Sequence, residues 1–432
     1  MSGNLKMNKK RLLVIGDPLT QVTGLSYVAG WFTKLFIESG KYDVAYLEHN
    51  SIPQNNNYCA IDEYSSIFNN IPVFKTVNDI PIKEFNQCFH KFKPQIVFTV
   101  LDPWQLELLA LTDYRPSYYW VAYCTAEVPK YADKIYNMSP ITKQPYKSIK
   151  LALQGANLVI PVTQMGKNTY RNMGLTNVTE ENVFNGLEIE KKCTLPIDKL
   201  KKELFGSNCN EDTFLFMTMG VNAERKKIER TIMAFSEFMK LIPENEKEKY
   251  KLYIHSNVFR TYSGPDLGEV IADSGVAYNI IALGNDRYIP KSEFYKFYQA
   301  SDCIIGLPGG EGMAYIFMEG MLHKKPIIFS DYGGHTEYAN QVGLPVKIHD
   351  YVYGMRVGWK WGLADVKDAA QQMLKVVKDE KLRKELGEKG YKYAIENFDW
   401  KVVFPKLQEI IEENYNKSDF KNLYGKDFRR II

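Results

Sequence analysis

Cysteine is scarce and scattered: six residues in 432, at Cys59, Cys88, Cys124, Cys193, Cys209 and Cys303, with no Cys-x-x-Cys pair and no histidine at zinc spacing. Such thiols read as reduced core residues, which excludes a disulfide scaffold and gives no support to a metal site. An excess of one charge is missing as well. Lys plus Arg number 55 against 51 for Asp plus Glu, a net of +4, too little for the long basic footprint of a dedicated nucleic-acid binder. Nor is there a long hydrophobic run. Leu12 to Ile15 is far shorter than the apolar part of a signal peptide, and no later stretch approaches the ~18 apolar residues of a membrane span. The expectation is a cytoplasmic protein without nucleic acid or metal among its partners.

What is present is an ordinary composition, 45% hydrophobic and 25% charged, long enough for two or three domains at roughly 150 residues each. Lys9 to Gly16, Tyr42 to Leu47, Pro94 to Val100, Tyr118 to Tyr123 and Asn157 to Val162 read as strands, and Leu25 to Ser39 as a helix stopped by Gly40. An Asn-rich loop runs through Tyr58. Between Glu188 and Asp212 the chain turns Lys-rich and is broken by Pro196 and by Gly206 to Asn210, which marks the best domain boundary. The alternation then restarts. Strands are expected at Phe214 to Met219, Lys251 to His255, Ile280 to Leu283, Asp302 to Gly306 and Pro326 to Ser330, with helices at Arg225 to Leu241, Lys291 to Ala300 and about Ala314 to Leu322. Continuous apolar strands separated by amphipathic segments are what a parallel sheet covered on both faces requires, so the fold class is α/β. From Asp365 to Asn414 the chain reads as mostly helical.

The most informative stretch is Ser301 to Glu337, SDCIIGLPGGEGMAYIFMEGMLHKKPIIFSDYGGHTE. A strand ends in Pro308-Gly309-Gly310 and a helix begins a few residues on, which offers unpaired amides to an anion. Glu311 lies just before that helix and Glu319 within it. Helical geometry sets them roughly 80° apart in azimuth and about 12 Å apart along the axis. One carboxylate can then meet a sugar and the other a ribose, since each accepts two hydrogen bonds from vicinal hydroxyls. Between them the segment Gly312, Met313, Ala314 and Tyr315 would face the diphosphate.

These residues also carry a resemblance. Glu311-x7-Glu319 within E-G-x-x-x-x-x-x-E-G-M, the following K-P-I-I and Gly333-Gly334-x-x-Glu337 resemble the signature of retaining, GT-B-fold glycosyltransferases of family 4. Gly220 followed by Arg225-Lys226 is similar to that family's diphosphate-binding segment, and Tyr298 to Asp302 (YQASD) to the lead-in of its E-x7-E block. Asn185-Gly186-Leu187-Glu188 and Phe398-Asp399-Trp400 resemble its N-G-V-D and late F-x-W. The match spans nearly the whole chain and is more specific in the second half.

The resemblance implies a GT-B architecture of two Rossmann-like α/β/α domains facing a central cleft. Residues 1–196 would bind the acceptor, 197–390 the nucleotide sugar, and the helices of 391–432 would cross back to the first domain. It also implies transfer of a hexose-like sugar from a UDP- or GDP-sugar to a glycan, lipid-linked or protein acceptor, with retention and without a metal or other cofactor. Arg225 and Lys226 would stabilise charge on the leaving phosphate. No Asp-x-Asp cluster stands in a metal context. The chain departs from the family in having Val221 and Asn222 where an Arg often follows the glycine equivalent to Gly220, and Cys124-Thr125-Ala126-Glu127 where a His often ends the strand. Asn222 remains a donor contact, and Glu127 is the candidate acceptor-side base or sugar contact.

Other residues carry two readings each. Arg225-Lys226-Lys227 is either an exposed basic first turn of a helix or a phosphate site, and cations at a helix N-terminus favour a bound anion. Gly24, at the expected start of the first helix, either lets substrate approach the backbone or closes a turn. His335 either touches the donor sugar or serves the loop, whereas His255 reads as structural. Trp31-Phe32 with Leu35-Phe36, and Phe85 with Phe89 and Phe92, read as core faces. The basic tail ending Phe428-Arg429-Arg430-Ile431-Ile432 is either a frayed terminus or a peripheral contact with anionic lipid or a partner. Two alternatives to a transferase stay open: a catalytically silent GT-B subunit assisting a partner glycosyltransferase, and an epimerase-like enzyme acting on the nucleotide sugar.

Overall fold

A computed structural model describes residues 9–21, 23–49, 68–76, 82–110, 112, 114–130, 134–135, 147–189, 196–258, 263–282, 289, 291–354 and 359–420. The Asn-rich loop through Tyr58, Cys59, Cys193 and the basic tail end lie outside them. Cys88, Cys124, Cys209 and Cys303 are free and buried.

The first half builds β1 (Lys10–Gly16), β2 (Tyr42–Glu48), β3 (Val73–Lys75), β4 (Ile96–Val100), β5 (Tyr119–Cys124), the short pair β6 (Lys134–Ile135) and β7 (Lys147–Ser148), and β8 (Leu158–Pro161). Six of them form one sheet in the order β3-β2-β1-β4-β5-β8, every pair parallel. The second half repeats the plan with β9 (Phe214–Met219), β10 (Tyr250–His255), β11 (Ile280–Ala282), β12 (Cys303–Gly306), β13 (Ile327–Ser330) and β14 (Leu344–Val346), ordered β11-β10-β9-β12-β13-β14. Strands such as Leu12–Ile15 and Val121–Cys124 are apolar and buried throughout, because helices cover both faces of a parallel sheet. Two Rossmann-like α/β domains result.

Each sheet reverses its strand order once, between β1 and β4 and between β9 and β12. Loops leaving the carboxyl ends of strands on either side of such a point diverge and open a crevice, the usual ligand position in open α/β sheets. Loops following β5 and β8 in the first domain meet loops following β12 and β13 in the second. Gln164 N donates to Glu337 Oε2 at 2.5 Å and Asn182 Nδ2 to Glu337 Oε1 at 3.4 Å.

Two further elements tie the halves together. The antiparallel hairpin of β15 (Ile348–Tyr353) and β16 (Lys360–Ala364) follows the second sheet in the chain, yet Trp359 and Trp361 pack into a core shared with Leu13, Trp120 and Val128 of the first. Trp104 lies 5.2 Å from Trp359 between ring centroids. The helix Trp400–Lys417 returns to the helix Gly24–Glu38, with Trp400 stacked on Trp31 at 5.8 Å and Phe404 edge-on to Phe36 at 5.2 Å. Two quoted motifs meet there: Leu187 pairs with Asp399, Leu187 N donates to Phe398 O, and Trp400 N donates to Leu187 O at 3.4 Å. No helix among the described residues is long and apolar enough to cross a membrane.

Candidate active site

The loop leaving β9 carries the cations. Gly220 takes φ +152°, and the carbon chain of Lys226 lies over the place its side chain would fill. The helix expected from Arg225 starts later. Glu224–Lys226 form a 3-10 turn, Lys227 is left-handed at φ 48°, and the helix runs Ile228–Lys240. Gly309 N donates to Arg225 O at 2.7 Å, so the loop after β12 pins this turn and the left-handed residue separates it from the helix. Arg225 and Lys226 are thus not a solvated first helical turn. Arg225 Nε lies 3.0 Å from Glu127 Oε1, while Arg225 Nη1 and Lys226 Nζ both contact Glu311 Oε1. One guanidinium bridges a carboxylate from each domain.

The loop leaving β12 carries Glu311. Gly334 N donates to Glu311 O at 2.7 Å. A Cβ on Gly333, itself at φ +119°, would stand 2.8 Å from Glu311 O and 3.2 Å from Glu127 O, and one on Gly312 would collide with the Thr125 hydroxyl. Glycine at these two positions lets the second domain press its backbone against residues 125–127 of the first. Ala314 is left-handed at φ 48° and the helix runs Tyr315–Leu322, so Glu311 is not on the helical spiral that the 80° separation from Glu319 assumed. Met313 and Ala314 are buried, their carbonyls accepting from the Tyr338 hydroxyl. Tyr315 reaches the first domain, donating to Gly186 O at 3.2 Å and lying edge-on to Tyr27 at 5.6 Å.

The remaining candidates separate. Glu319 is buried, and its Oε2 accepts from the Tyr298 hydroxyl at 2.7 Å; that hydroxyl also lies 3.1 Å from Met219 Sδ, just before Gly220. Gly24 starts the first helix within 3.7 Å, measured from an added Cβ, of the Tyr315 ring. Asn222 turns away: buried, it donates through Nδ2 to Pro265 O at 2.8 Å and fastens the loop behind β9. His335 is fully buried, its Nε2 3.0 Å from Ser330 O and its ring packed on Phe317 and Phe329.

No protein-family model matches the chain, and no curated protein matches it in sequence. Solved structures do match in fold. Sucrose-phosphate synthase from Thermosynechococcus elongatus superposes with a TM-score of 0.68 at 15% identity, covering 95% of this chain and 100% of that one. Anabaena HepE in complex with UDP and glucose gives 0.67 at 13% identity, covering 94% and 100%. WaaG, a glycosyltransferase involved in lipopolysaccharide biosynthesis, gives 0.59 at 11%, covering 93% and 99%. The fold is GT-B.

In this GT-B chain the charges at the domain junction set one another's protonation. Burial alone would raise the Glu311 carboxyl, but Arg225 and then Lys226 outweigh it and hold it at about 2. Burial raises Glu127, only partly opposed by Arg225 and Lys226 and reinforced by Glu311. Burial lowers Lys226, with Glu311 opposing. For Arg225 burial is outweighed by Glu127, Glu311 and Asp102, so it stays charged. Burial, then Glu127 and Asp17, push Asp102 well above the carboxylate range.

Asp102 and the pair Asp17–His49, 3.7 Å apart, were not singled out from sequence as site residues. All three follow the carboxyl ends of β4, β1 and β2, so their place at the switch point was the available signal. In the sequence Tyr298 is visible only as the first residue of the YQASD motif. Burial and the adjacent Glu319 keep its hydroxyl protonated, which lets it donate to that carboxylate. Among the described residues no group of three or more His, Cys, Asp or Glu is placed to hold a metal ion. The arrangement offers paired cations at the second switch point, backed by Glu311, against a carboxyl-lined wall on the first domain.

Proposed function

We propose that the protein is a retaining glycosyltransferase that moves a hexose-like sugar from a UDP- or GDP-sugar to a glycan, lipid-linked or protein acceptor. The observation that carries the reading is the Arg225–Lys226 cation pair set beside Glu311 at the β9/β12 switch point. As the bond from the anomeric carbon to the phosphate oxygen breaks, negative charge gathers on the leaving diphosphate. Preorganised cations in a buried site stabilise that charge, and one such group is worth about 2.7 to 4 kcal/mol of barrier by analogy with oxyanion donors. Since they supply the positive charge, the reaction as proposed calls for no metal. A front-face path, in which the leaving phosphate takes the acceptor proton, retains configuration without an enzymic nucleophile.

In this scheme residues 197–390 bind the donor and residues 1–196 the acceptor, and the helix Trp400–Lys417 closes the structure against the first domain. Glu319 would meet the ribose, with Tyr298 orienting it, while Glu311 faces the sugar and Gly220 and residues 312–315 line the diphosphate. Gly24 would border the acceptor. The place of action is the cytoplasm, free or peripheral at a membrane surface. HepE, which shares the fold, was captured with UDP and glucose, which makes a uridine donor the first probe.

The test is a thermal-shift panel of UDP- and GDP-sugars and free nucleoside diphosphates, followed by transfer assays with the anomer read by NMR. A ligand at 100 times its Kd adds about 2.7 kcal/mol of stability. Unmoved melting curves across the panel would overturn the donor assignment, and donor turnover without glycoside would favour an epimerase-like reaction.

A further inference from the structure

Glu337, the last residue of Gly333-Gly334-x-x-Glu337, takes no part in the donor assignment, yet it lies on the seam between the domains. Among the described residues both hydrogen bonds to its carboxylate come from the first domain, from Gln164 N to Oε2 at 2.5 Å and from Asn182 Nδ2 to Oε1 at 3.4 Å. Gln164 opens the helix Gln164–Asn172, and the cap of that helix, Thr163, uses its hydroxyl to accept from Gly166 N at 3.1 Å. The first amide of a helix has no partner within it, and the positive end of the helix favours a carboxylate. Glu337 completes, from the second domain, a cap that the first domain leaves unfinished.

Each end of this contact leads to one side of the candidate site. On the second domain, Gly334 donates its amide to Glu311 O at 2.7 Å. It also leaves room for Thr163, since a Cβ there would stand 2.9 Å from the Thr163 hydroxyl. On the first domain, the helix Gln164–Asn172 backs Thr125–Pro129, the segment that carries Glu127. A Cβ on Gly166 would touch that of Ala126 at 3.5 Å, while the Thr169 hydroxyl donates to Pro129 O at 3.0 Å and that of Tyr170 to Thr125 O at 2.8 Å. We propose that Glu337 is an interdomain positioning residue. Its bond to Gln164 N fixes the Glu311 loop against the helix that backs Thr125–Pro129, so that a donor held in the site proposed above, on which this role rests, steadies the acceptor side of the first domain. Transfer needs that register, because the acceptor hydroxyl and the anomeric carbon are held by different domains, and a misplacement of about 1 Å can cost roughly 10²-fold in rate.

The experiment is amide hydrogen exchange of the full chain, free and saturated with UDP or with GDP, with each affinity measured by titration calorimetry. In the wild type the bound diphosphate should slow exchange several-fold across residues 164–172 and 125–128. Glu337→Ala should bind the same diphosphate within about twofold of the wild type, since the donor residues are untouched, yet lose that slowing. Gln164→Pro should do the same from the other side. Thr163 is already extended at φ −132° and ψ 160°, and proline is tolerated as the first residue of a helix, so this variant removes the amide hydrogen and keeps the helix. Glu337→Gln keeps an acceptor for the amide and should restore most of the slowing. A merely structural Glu337 would, when replaced, speed exchange equally in the free and bound protein. That result, slowing that persists in both Glu337→Ala and Gln164→Pro, or a wild type that binds without slowing, overturns the positioning role while leaving the donor site standing. Failure of the wild type to bind either diphosphate overturns both.

Discussion

Replacing Glu311 by Gln removes one charge from a cluster of two cations and two carboxylates, and its cost follows from the structure in two ways. The carboxyl is held at about 2 against an ordinary 4.5, and at 1.36 kcal/mol per unit this is roughly 3 kcal/mol of folded-state stabilisation. Independently, removing one partner of a buried ion pair costs about 3 to 5 kcal/mol, and the lower end applies here because the Arg225 and Lys226 side chains left behind are 31% and 22% exposed. Because the folded carboxyl is depressed, its contribution is complete above the unfolded value and is lost as pH falls through the window from 4.5 toward 2. Urea unfolding of wild type and Glu311→Gln should differ by about 3 kcal/mol at pH 7, with roughly 2 kcal/mol of that difference gone by pH 3. Taking the difference cancels the opposite contribution of Asp102, whose raised carboxyl owes nothing to Glu311, whereas Glu127, raised in part by Glu311, is relieved in the variant. A difference under about 1 kcal/mol at pH 7, or one that does not shrink in acid, would refute the claim that Arg225 and Lys226 rest on Glu311.

Lys226→Ala should lower kcat on the order of 10²- to 10³-fold, with a smaller change in donor KM, in steady-state transfer assays; a raised KM with kcat unchanged would assign Lys226 to uniform donor binding. Tyr298→Phe removes one hydrogen-bond donor, at 2.7 Å, from the buried Glu319 carboxylate, and the expected loss of about 1 to 3 kcal/mol should be visible in thermal melts. Gly312→Ala places a methyl on the Thr125 hydroxyl and should cost about 1 to 3 kcal/mol. Gly312→Ala combined with Thr125→Ser should remain impaired, whereas the pair with Thr125→Gly should recover stability if contact across the junction is the cause.

Local pattern made much of this fold readable. Phe214–Met219 and Lys291–Ala300 have the bounds their apolar run and helical spacing indicate, and the E-x7-E stretch identified the loop after β12. Two left-handed residues defeated the same reasoning. Lys227 and Ala314 have side chains that disfavour φ near +50°, so nothing in their identity warned that the helices begin after them. Tertiary contacts impose that conformation, including the hydrogen bond from Gly309 N to Arg225 O. The β15–β16 hairpin was equally hidden, because Trp359 and Trp361 look like ordinary apolar positions until the first domain supplies Trp104. The Glu127–Arg225 contact belongs to no local pattern, since it forms only when two domains close on each other.

The domain junction uses two kinds of contact, and their energetics assign them different work. Trp400 on Trp31 and Trp359 on Trp104 bury aromatic surface, which stabilises without further conditions. The charge cluster does not: two cations and two carboxylates taken from water recover about what they lose, and apolar residues of similar shape would hold the domains at least as firmly. Stability alone therefore gives no reason for Arg225, Lys226, Glu127 and Glu311 to occupy the junction. They lie where the loops of both switch points converge, with carboxyls shifted in opposite directions, Glu311 down and Glu127 up. Opposed shifts in adjacent carboxyls are the signature of groups set for different protonation states. The tryptophans hold the two domains together, and the charges are the groups on which the proposed diphosphate site rests.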